Sequence, residues 1–190
     1  EREWRPFTYF ENDVAKGILV DMVKEAVSRQ RLNVEFVAMP WRRCLLESRE
    51  GKYDAILPLT FSKENEKDFS FPKGAGAKNH EGALMQIDHA LITFMGAKMD
   101  NQYEYRGDLK SLPEPVRVPI GDSIIPDLEK RQITIEPGKG DSTNVSKLIR
   151  DKNGSVITTT ILAETFDRNP EFKGKIKIHP VPINSQPYYL

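Results

Sequence analysis

Residues 116–135, VRVPIGDSIIPDLEKRQITI, contain a strand, a helix and a second strand in immediate succession. The β-branched residues at 116–118 and 133–135 are typical of strands. Residues 124–130 predict a short helix, in which Pro126 is tolerated because it falls in the first turn. A strand, a helix and a strand in this order predict a parallel α/β arrangement.

The same alternation continues on both sides of this stretch. Residues 145–151 predict a helix that ends near Gly154, while residues 89–95, 156–158 and 176–178 predict strands. The glycines and prolines of residues 72–82 indicate a loop that separates this second half from the first.

The first half shows its own helix and strand patterns. Residues 19, 22, 23, 26 and 27 are apolar and form one helix face. Residues 34–39 then predict a strand, Pro40 suits the first turn of a second helix that ends near Gly51, and residues 53–59 predict another strand. Two α/β lobes are therefore expected.

Composition excludes several classes of protein. The 190 residues carry 28 basic and 28 acidic side chains, so the formal net charge is zero and no basic surface for nucleic acid is predicted. Cys44 is the only cysteine, which excludes an internal disulfide and a cysteine-built zinc site. It is predicted to be a small buried apolar residue. No apolar run approaches the length of a membrane span, and no signal peptide is recognisable in these residues.

Several short segments resemble one family. They are RPFTY at residues 5–9, Gly17 before the first helix, PWRR at 40–43, GKYDAI at 51–56 and FSFP at 69–72. GDLK at 107–110, VRVPIGDS at 116–123 and PYYL at 187–190 continue the series. Their order and spacing are similar to those of the periplasmic solute-binding proteins of the amino-acid class, type 3.

The resemblance implies an α/β fold of the periplasmic-binding-protein type II kind, two-lobed, each lobe a mostly parallel sheet with flanking helices. Lobe 1 would span residues 1–87, lobe 2 residues 88–182, and residues 183–190 would return to lobe 1. The implied mechanism is hinge closure on a small polar ligand in the interlobe cleft. The expected partner is a membrane importer or receptor component, and the expected location is periplasmic, with the leader absent from this chain. We expect a monomer with no cofactor, no metal, no nucleic-acid partner and no catalytic activity.

Aromatic residues are the first candidates for ligand contacts. By the resemblance, Phe7 and Tyr9 lie in a loop that forms an aromatic wall, although both could equally be core residues and alternation favours only one pointing into the cleft. Trp41 begins a helix at the end of a predicted strand, where α/β proteins commonly bind ligands. It could instead anchor the core.

Two polar positions decide which ligand is expected. Arg43 is the preferred candidate of the pair Arg42 and Arg43 for holding a carboxylate or phosphate. Asn65 stands where the family carries the arginine that clamps an α-carboxylate, and an amide supplies no positive charge.

Three hydroxyl residues complete the predicted set. Thr60 follows a lobe 1 strand, Ser123 precedes a helix, and Thr158 opens the segment in which the family places an acidic residue for the α-amino group. Residues 158–162 contain no acidic side chain. A standard α-amino acid is therefore not expected as the ligand.

Two other functions fit the same pattern. One is the ligand-sensing ectodomain of a signalling receptor. The other is a dehydratase-like periplasmic enzyme, for which Glu11, Glu164 or His89 would have to act as the general acid or base. No zinc-protease, phosphate-loop or nucleophile-elbow motif is complete in the chain.

Overall fold

A computed structural model describes residues 3–77, 80–96 and 103–190. The chain forms two compact units: the first extends to Gln86 and includes Gln186–Leu190, and the second is Ile87–Ser185. The sequence predicted the boundaries between the two lobes after residues 87 and 182. The α/β class is confirmed.

A small antiparallel sheet opens the first unit. It contains β1 (Glu3–Trp4), β2 (Thr8–Glu11) and β3 (Val14–Lys16), with β2 in the middle. Asn12 and Asp13 form the two-residue turn between β2 and β3, with φ of 51° and 61°. Positive φ at both positions is what the tight turns of twisted hairpins require, and Asn and Asp tolerate it best among residues with a side chain.

Two helices follow in this unit. Helix α1 (Ile18–Arg29) buries Leu19, Val20 and Val23, whereas Met22 and Ala26 of the predicted apolar face are exposed and Val27 is half-buried. Helix α2 (Trp41–Arg49) begins directly after Pro40, as predicted, and its side chains are half-buried or exposed.

The remaining strand predictions for the first unit are corrected. Residues 34–39 form neither helix nor strand, and Val34 and Val37 are exposed, because a strand persists only where a neighbour pairs with its backbone. Of residues 53–59, only the last joins a strand, β4 (Leu59–Thr60), which pairs antiparallel with β10 (Asn184–Tyr189). The described strand pairs of this unit are antiparallel, not mostly parallel.

Gly17 joins the hairpin sheet to α1. Its φ is 120°, and a Cβ there would collide with the backbone oxygen of Phe7 and lie 2.9 Å from that of Pro6. The same turn is closed by hydrogen bonds from Ile18 N to Pro6 O and from Leu19 N to Phe7 O, each of 3.1 Å. Only glycine fits this position without displacing the backbone.

We therefore expect Gly17→Ala to lower the free energy of unfolding by about 2 kcal/mol or more, measured by urea denaturation. Gly51→Ala is the matched control, because Gly51 also has positive φ but has no atom within 4 Å of the added carbon. The control should cost about 1 kcal/mol from backbone strain alone. Equal losses in the two variants would contradict the close-contact argument.

The second unit is built on a mixed sheet. Its strands are β5 (Met85–Phe94, which enters from the first unit), β6 (Val116–Pro119), β7 (Ile135–Gly138), β8 (Ser155–Thr159) and β9 (Ile176–Ile178). Strand β6 pairs parallel with β7 and β8, whereas β5 pairs antiparallel with β8 and β9. The parallel pairing expected from the sequence is present among β6, β7 and β8, with β7 at the edge of the sheet.

Helices cover both faces of this sheet. They are α3 (Ile125–Lys130), α4 (Asp141–Asp151) and α5 (Thr160–Arg168). One core contains Val145 and Leu148 of α4 with Ala163 and Phe166 of α5, and the other contains Leu128 of α3. Strand β7 begins two residues later than predicted, and α4 begins four residues earlier.

His179, just after β9, is a buried structural histidine. It is 2% exposed, its Nδ1 accepts a hydrogen bond from Tyr105 N at 3.2 Å, and its Nε2 lies 3.0 Å from Thr93 Oγ1. Because Nδ1 accepts, Nε2 carries the proton and donates to Thr93. Burial, with a smaller effect of Lys177, lowers the pKa of His179 from its usual 6.5 to about 4.

This pKa makes the second unit sensitive to mild acid. Above pH 6.5 the imidazole is neutral in both folded and unfolded chains, but between about 6.5 and 4 only the unfolded chain takes up the proton. We expect stability to fall by about 2 kcal/mol from pH 7 to pH 5 through His179 alone. His179→Gln, which keeps a donor and an acceptor but does not titrate, should show a correspondingly smaller loss in urea denaturation at the two pH values. Identical pH dependences would contradict the assignment.

Candidate functional site

The carboxyl ends of the parallel strands β6 and β8 lie at one edge of the second unit's sheet. Strand β6 ends at Pro119 and leads into the loop before α3, while β8 ends at Thr159 and leads directly into α5. Ligands of open α/β sheets bind outside such carboxyl ends. The polar side chains gathered at this edge are the candidate site.

His89 is the most buried titratable group at this edge. It pairs with Thr159 across β5 and β8, it is 4% exposed, and its ring interacts with the side chain of Asn184. Burial lowers its pKa, and the negative charge of Asp122 opposes that shift. Burial therefore keeps the ring neutral at pH 7 against the opposing effects of Asp122 and Asn184.

Asp122 is held in place by its own turn. Its Oδ1 accepts a hydrogen bond from Ile124 N at 3.0 Å, and its backbone N–H donates to Pro119 O at 3.1 Å. The carboxylate is half-buried, and one oxygen remains for another donor. Ser123, the predicted contact beside it, is exposed.

The hydroxyls at the start of α5 are engaged by the protein. Thr159 Oγ1 accepts from Leu162 N at 3.3 Å, and Thr160 Oγ1 donates to Asp88 O at 3.2 Å. Asp88 also accepts a short hydrogen bond from Ser185 Oγ. These hydrogen bonds connect the start of α5 to β5 and β10, so the polar residues at this edge form one hydrogen-bonded network.

Thr158 points away from His89. It pairs with Ala90, whose side chain belongs to the core under α4 and α5, and residues directly opposite in a sheet share a face. Its Oγ1 is buried without a partner in the described residues. Thr158 stays a candidate ligand contact, although its hydroxyl lies on the core side.

Phe7 requires a correction. Its exposed fraction is 0%, its ring contacts Trp4 at a centroid distance of 4.5 Å, and its backbone helps to start α1. A side chain with no surface cannot form a ligand wall, so the core alternative applies. Tyr9 is half-buried and is covered on one face by the Arg5 guanidinium, 4.0 Å from the ring centroid.

Trp41 and Arg43 both lie in the first turn of α2. The indole is half-buried, whereas Arg43 is exposed and its Nε lies 2.6 Å from Glu47 Oε1, one turn further along the helix. The predicted carboxylate-binding cation therefore already has a carboxylate partner from its own helix.

Asn65 and Thr60 bind each other. Asn65 Nδ2 donates to Thr60 O at 3.0 Å, and Asn65 N donates to Ser62 Oγ at 3.0 Å. The amide thus stabilises the loop after β4. Both residues are half-buried, and their role in ligand binding stays a prediction.

Asn184 was not found by sequence reasoning, and His89 was considered only as a possible acid or base. The Asn184 side chain is half-buried and interacts with the His89 ring, where it opposes the lowering of the pKa by burial. Its isolated position in the tail gave no pattern from which this role could be predicted.

Neither a metal cluster nor a membrane helix is found in the described ranges. No group of three or more His, Cys, Asp or Glu residues there could hold a metal ion. No helix in those ranges has the length and apolar character needed to cross a membrane. Cys44 is half-buried, and burial raises the pKa of its thiol.

The orphan hydroxyl of Thr158 gives a testable contrast with Thr93. We expect Thr158→Val to leave the free energy of unfolding unchanged or to raise it by up to about 1 kcal/mol, since no hydrogen bond is lost. Thr93→Val should lower it by about 1–3 kcal/mol, because it leaves His179 Nε2 unsatisfied. Urea denaturation measures both; a loss in Thr158→Val equal to that in Thr93→Val would reveal a native partner for Thr158.

Three solved structures have a similar fold. A binding component of an ABC transporter from Wolinella succinogenes, complexed with lysine, superposes with a TM-score of 0.75 at 16% identity, covering 99% of this chain and 77% of that one. The arginine-, lysine- and histidine-binding protein ArtJ of Geobacillus stearothermophilus gives 0.72 at 16% identity, with 100% and 77% covered. The periplasmic VFT2 domain of Bordetella pertussis BvgS gives 0.68 at 18% identity, with 98% and 76% covered.

These likenesses establish the periplasmic-binding-protein type II fold. A search among curated proteins found no match. The family model for bacterial extracellular solute-binding proteins, family 3, matches residues 1–147, which is most of the chain. The chain therefore belongs to the family 3 extracellular solute-binding proteins.

Proposed function

We propose that this protein binds a small polar solute outside the cytoplasm, as a monomer, and presents it to a membrane importer without changing it chemically. The main support is the match of residues 1–147 to the family 3 extracellular solute-binding proteins, together with a polar edge of the second unit at which the half-buried Asp122 carboxylate keeps an oxygen that can accept a donor.

The first unit argues against a standard α-amino acid as that solute. Asn65 replaces the arginine that the family uses for the carboxylate, and its Nδ2 is bound to Thr60 O. Arg43, the other predicted anchor, is paired with Glu47. Neither side chain offers a free positive charge to an α-carboxylate.

Catalysis has little support in the described side chains. Glu11 forms ion pairs with Lys16 and Arg5, which lower its pKa, and Glu164 pairs with Arg168 on the surface of α5. A general acid would need a raised carboxyl pKa instead. His89 is 4% exposed, and burial lowers its pKa.

A receptor ectodomain is the second candidate. The likeness to the VFT2 domain of BvgS, a domain of a larger periplasmic region, supports it. Both candidates require solute binding, and hinge closure on the solute stays a prediction for both.

A thermal-shift screen with amino acids, polyamines, organic acids, sugars and nucleosides tests solute binding. A ligand at about 100 times its Kd stabilises the folded state by about 2.7 kcal/mol, which raises Tm measurably. We expect one class to raise Tm and to be recovered unchanged by mass spectrometry. Chemical conversion of the ligand would favour the enzyme, and the absence of any hit would overturn solute binding.

The variant Trp41→Leu tests whether the first unit contacts the ligand through Trp41. We expect it to reduce the ligand-induced rise in Tm, because an indole at the start of α2 provides a flat apolar contact surface. Leu46→Ala, on the same helix and 55% exposed in the wild type, is the matched control and should leave the rise unchanged. The Tm without ligand separates any loss of folding stability from a loss of binding. An equal ligand-induced rise in Tm in both variants would contradict a ligand contact at Trp41.

A further inference from the structure

We propose that a cationic cavity at the carboxyl end of α3 is a separate anion site, which binds a phosphate monoester carried by a small soluble molecule or by a lipid headgroup. Helix α3 leads from the carboxyl end of β6 back toward the amino end of β7. The cavity therefore lies away from the polar edge at Asp122, and its ligand would be additional to the transported or sensed solute.

The cavity has a volume of about 360 Å³. Its described lining consists of Lys110, from the short helical turn Leu109–Ser111, and of Asp127, Lys130, Arg131 and Gln132, from α3 and the turn after it. Small-molecule pockets begin at about 300 Å³. The cavity is therefore large enough for a phosphate group and part of the molecule that carries it.

The two segments that carry the cations pack on the same core. Leu109, beside Lys110, and Leu128 of α3 both belong to the apolar cluster on this face of the sheet. Lys110 N donates to Asp108 Oδ1 at 2.9 Å, and Arg131 N donates to Leu128 O at 3.1 Å. The backbone that presents each of these cations is thus held by a hydrogen bond and by the core beneath it.

The cavity carries an excess of positive charge. Three of its lining side chains are cationic and one is a carboxylate, which gives a formal charge of +2. The ion pairs of the described residues in the second unit are formed by other cations, namely Arg117, Lys147, Arg150 and Arg168. The cations of the cavity are therefore not neutralised by ion pairs within the described part of the chain.

The end of α3 contributes few competing acceptors. Carbonyl groups at a helix carboxyl end carry partial negative charge. Leu128 O, however, accepts from Arg131 N and Ile133 N, each at 3.1 Å, and Glu129 O accepts from Gln132 N at 2.9 Å. Because these carbonyls are already bonded, the lining is dominated by N–H donors, and such a lining suits a ligand rich in acceptors.

A phosphate monoester matches this donor set better than a carboxylate does. It carries a charge of about −1.5 to −2 at pH 7 and three acceptor oxygens. The guanidinium of Arg131 can bind two oxygens in parallel, and the ammonium groups of Lys110 and Lys130 can reach the third. A carboxylate brings a single charge and two oxygens, which leaves part of the excess charge uncompensated.

The test compares the wild type with Arg131→Gln, Lys173→Gln and Asp127→Asn. Lys173 is the matched control, because it is an exposed cation of the same unit and follows Phe172, which belongs to the core on the other face of the sheet. Asp127→Asn removes the carboxylate of the cavity itself. The ligand-free Tm shows whether each variant folds normally, and Lys130→Gln replaces Arg131→Gln if that variant is unstable.

Isothermal titration calorimetry at low salt would use glycerol phosphate, with glycerol and succinate as comparison probes. We expect the wild type and Lys173→Gln to bind glycerol phosphate alike, and Arg131→Gln to bind it about fivefold or more weakly. Asp127→Asn should bind it about twofold or more tightly, because a repulsive charge is lost. Sodium chloride should weaken binding, since the lining side chains are exposed.

Cosedimentation with phosphatidylcholine vesicles, with and without phosphatidic acid, distinguishes the two sources of the phosphate. Binding of glycerol phosphate alone would support a soluble ligand, and Arg131-dependent binding of phosphatidic acid vesicles alone would support a lipid headgroup. Equal binding by Arg131→Gln and Lys173→Gln, or no binding of either phosphate, would overturn the site. Tighter binding of succinate would overturn the phosphate class. None of these results bears on the solute screen, which tests the proposed function independently.

Discussion

The buried guanidinium of Arg117 is the constraint on which the second unit depends. Arg117 lies in the middle of β6 and is 1% exposed, so its charge must be compensated locally. Its Nε lies 2.8 Å from Glu136 in β7, one Nη lies 2.9 Å from Asp151 at the end of α4, and the other donates to Asn153 O at 2.8 Å. One side chain thereby joins two strands, a helix end and the loop that leads into β8.

That network fixes the frame that positions the candidate site. With β6, β7 and β8 held together near their amino ends, the loop at Asp122 and the start of α5 project from the opposite, carboxyl edge. Glu136 is shared with Lys147 of α4, whose hydrogen bond is the main cause of its lowered pKa.

The elements of the second unit were predictable because burial and pattern agree there. Every residue of β8 is buried, and such a strand reads as a continuous β-forming run. Residues 34–39 have an equally strand-like composition but are exposed or half-buried and pair with no strand, which shows that composition predicts a strand only where a partner strand exists. The late start of β7 has the same origin, since Ile133 packs into the core from the turn that precedes the strand.

The site was less predictable than the fold. The pairing of Arg43 with Glu47 follows from helical spacing and was within reach of the sequence, whereas the bond from Asn65 to Thr60 O depends on a loop geometry that no pattern encodes. His89 was correctly placed in a strand, but the face of the sheet on which it lies depends on the register with Thr159.

The turn at Asp122 has an evolutionary consequence. The backbone there needs only a short side chain with an oxygen that accepts from Ile124 N, and asparagine or serine also provides one. Selection can therefore alter the charge presented at this edge without rebuilding the loop. The buried charges around Arg117, by contrast, keep the architecture unchanged.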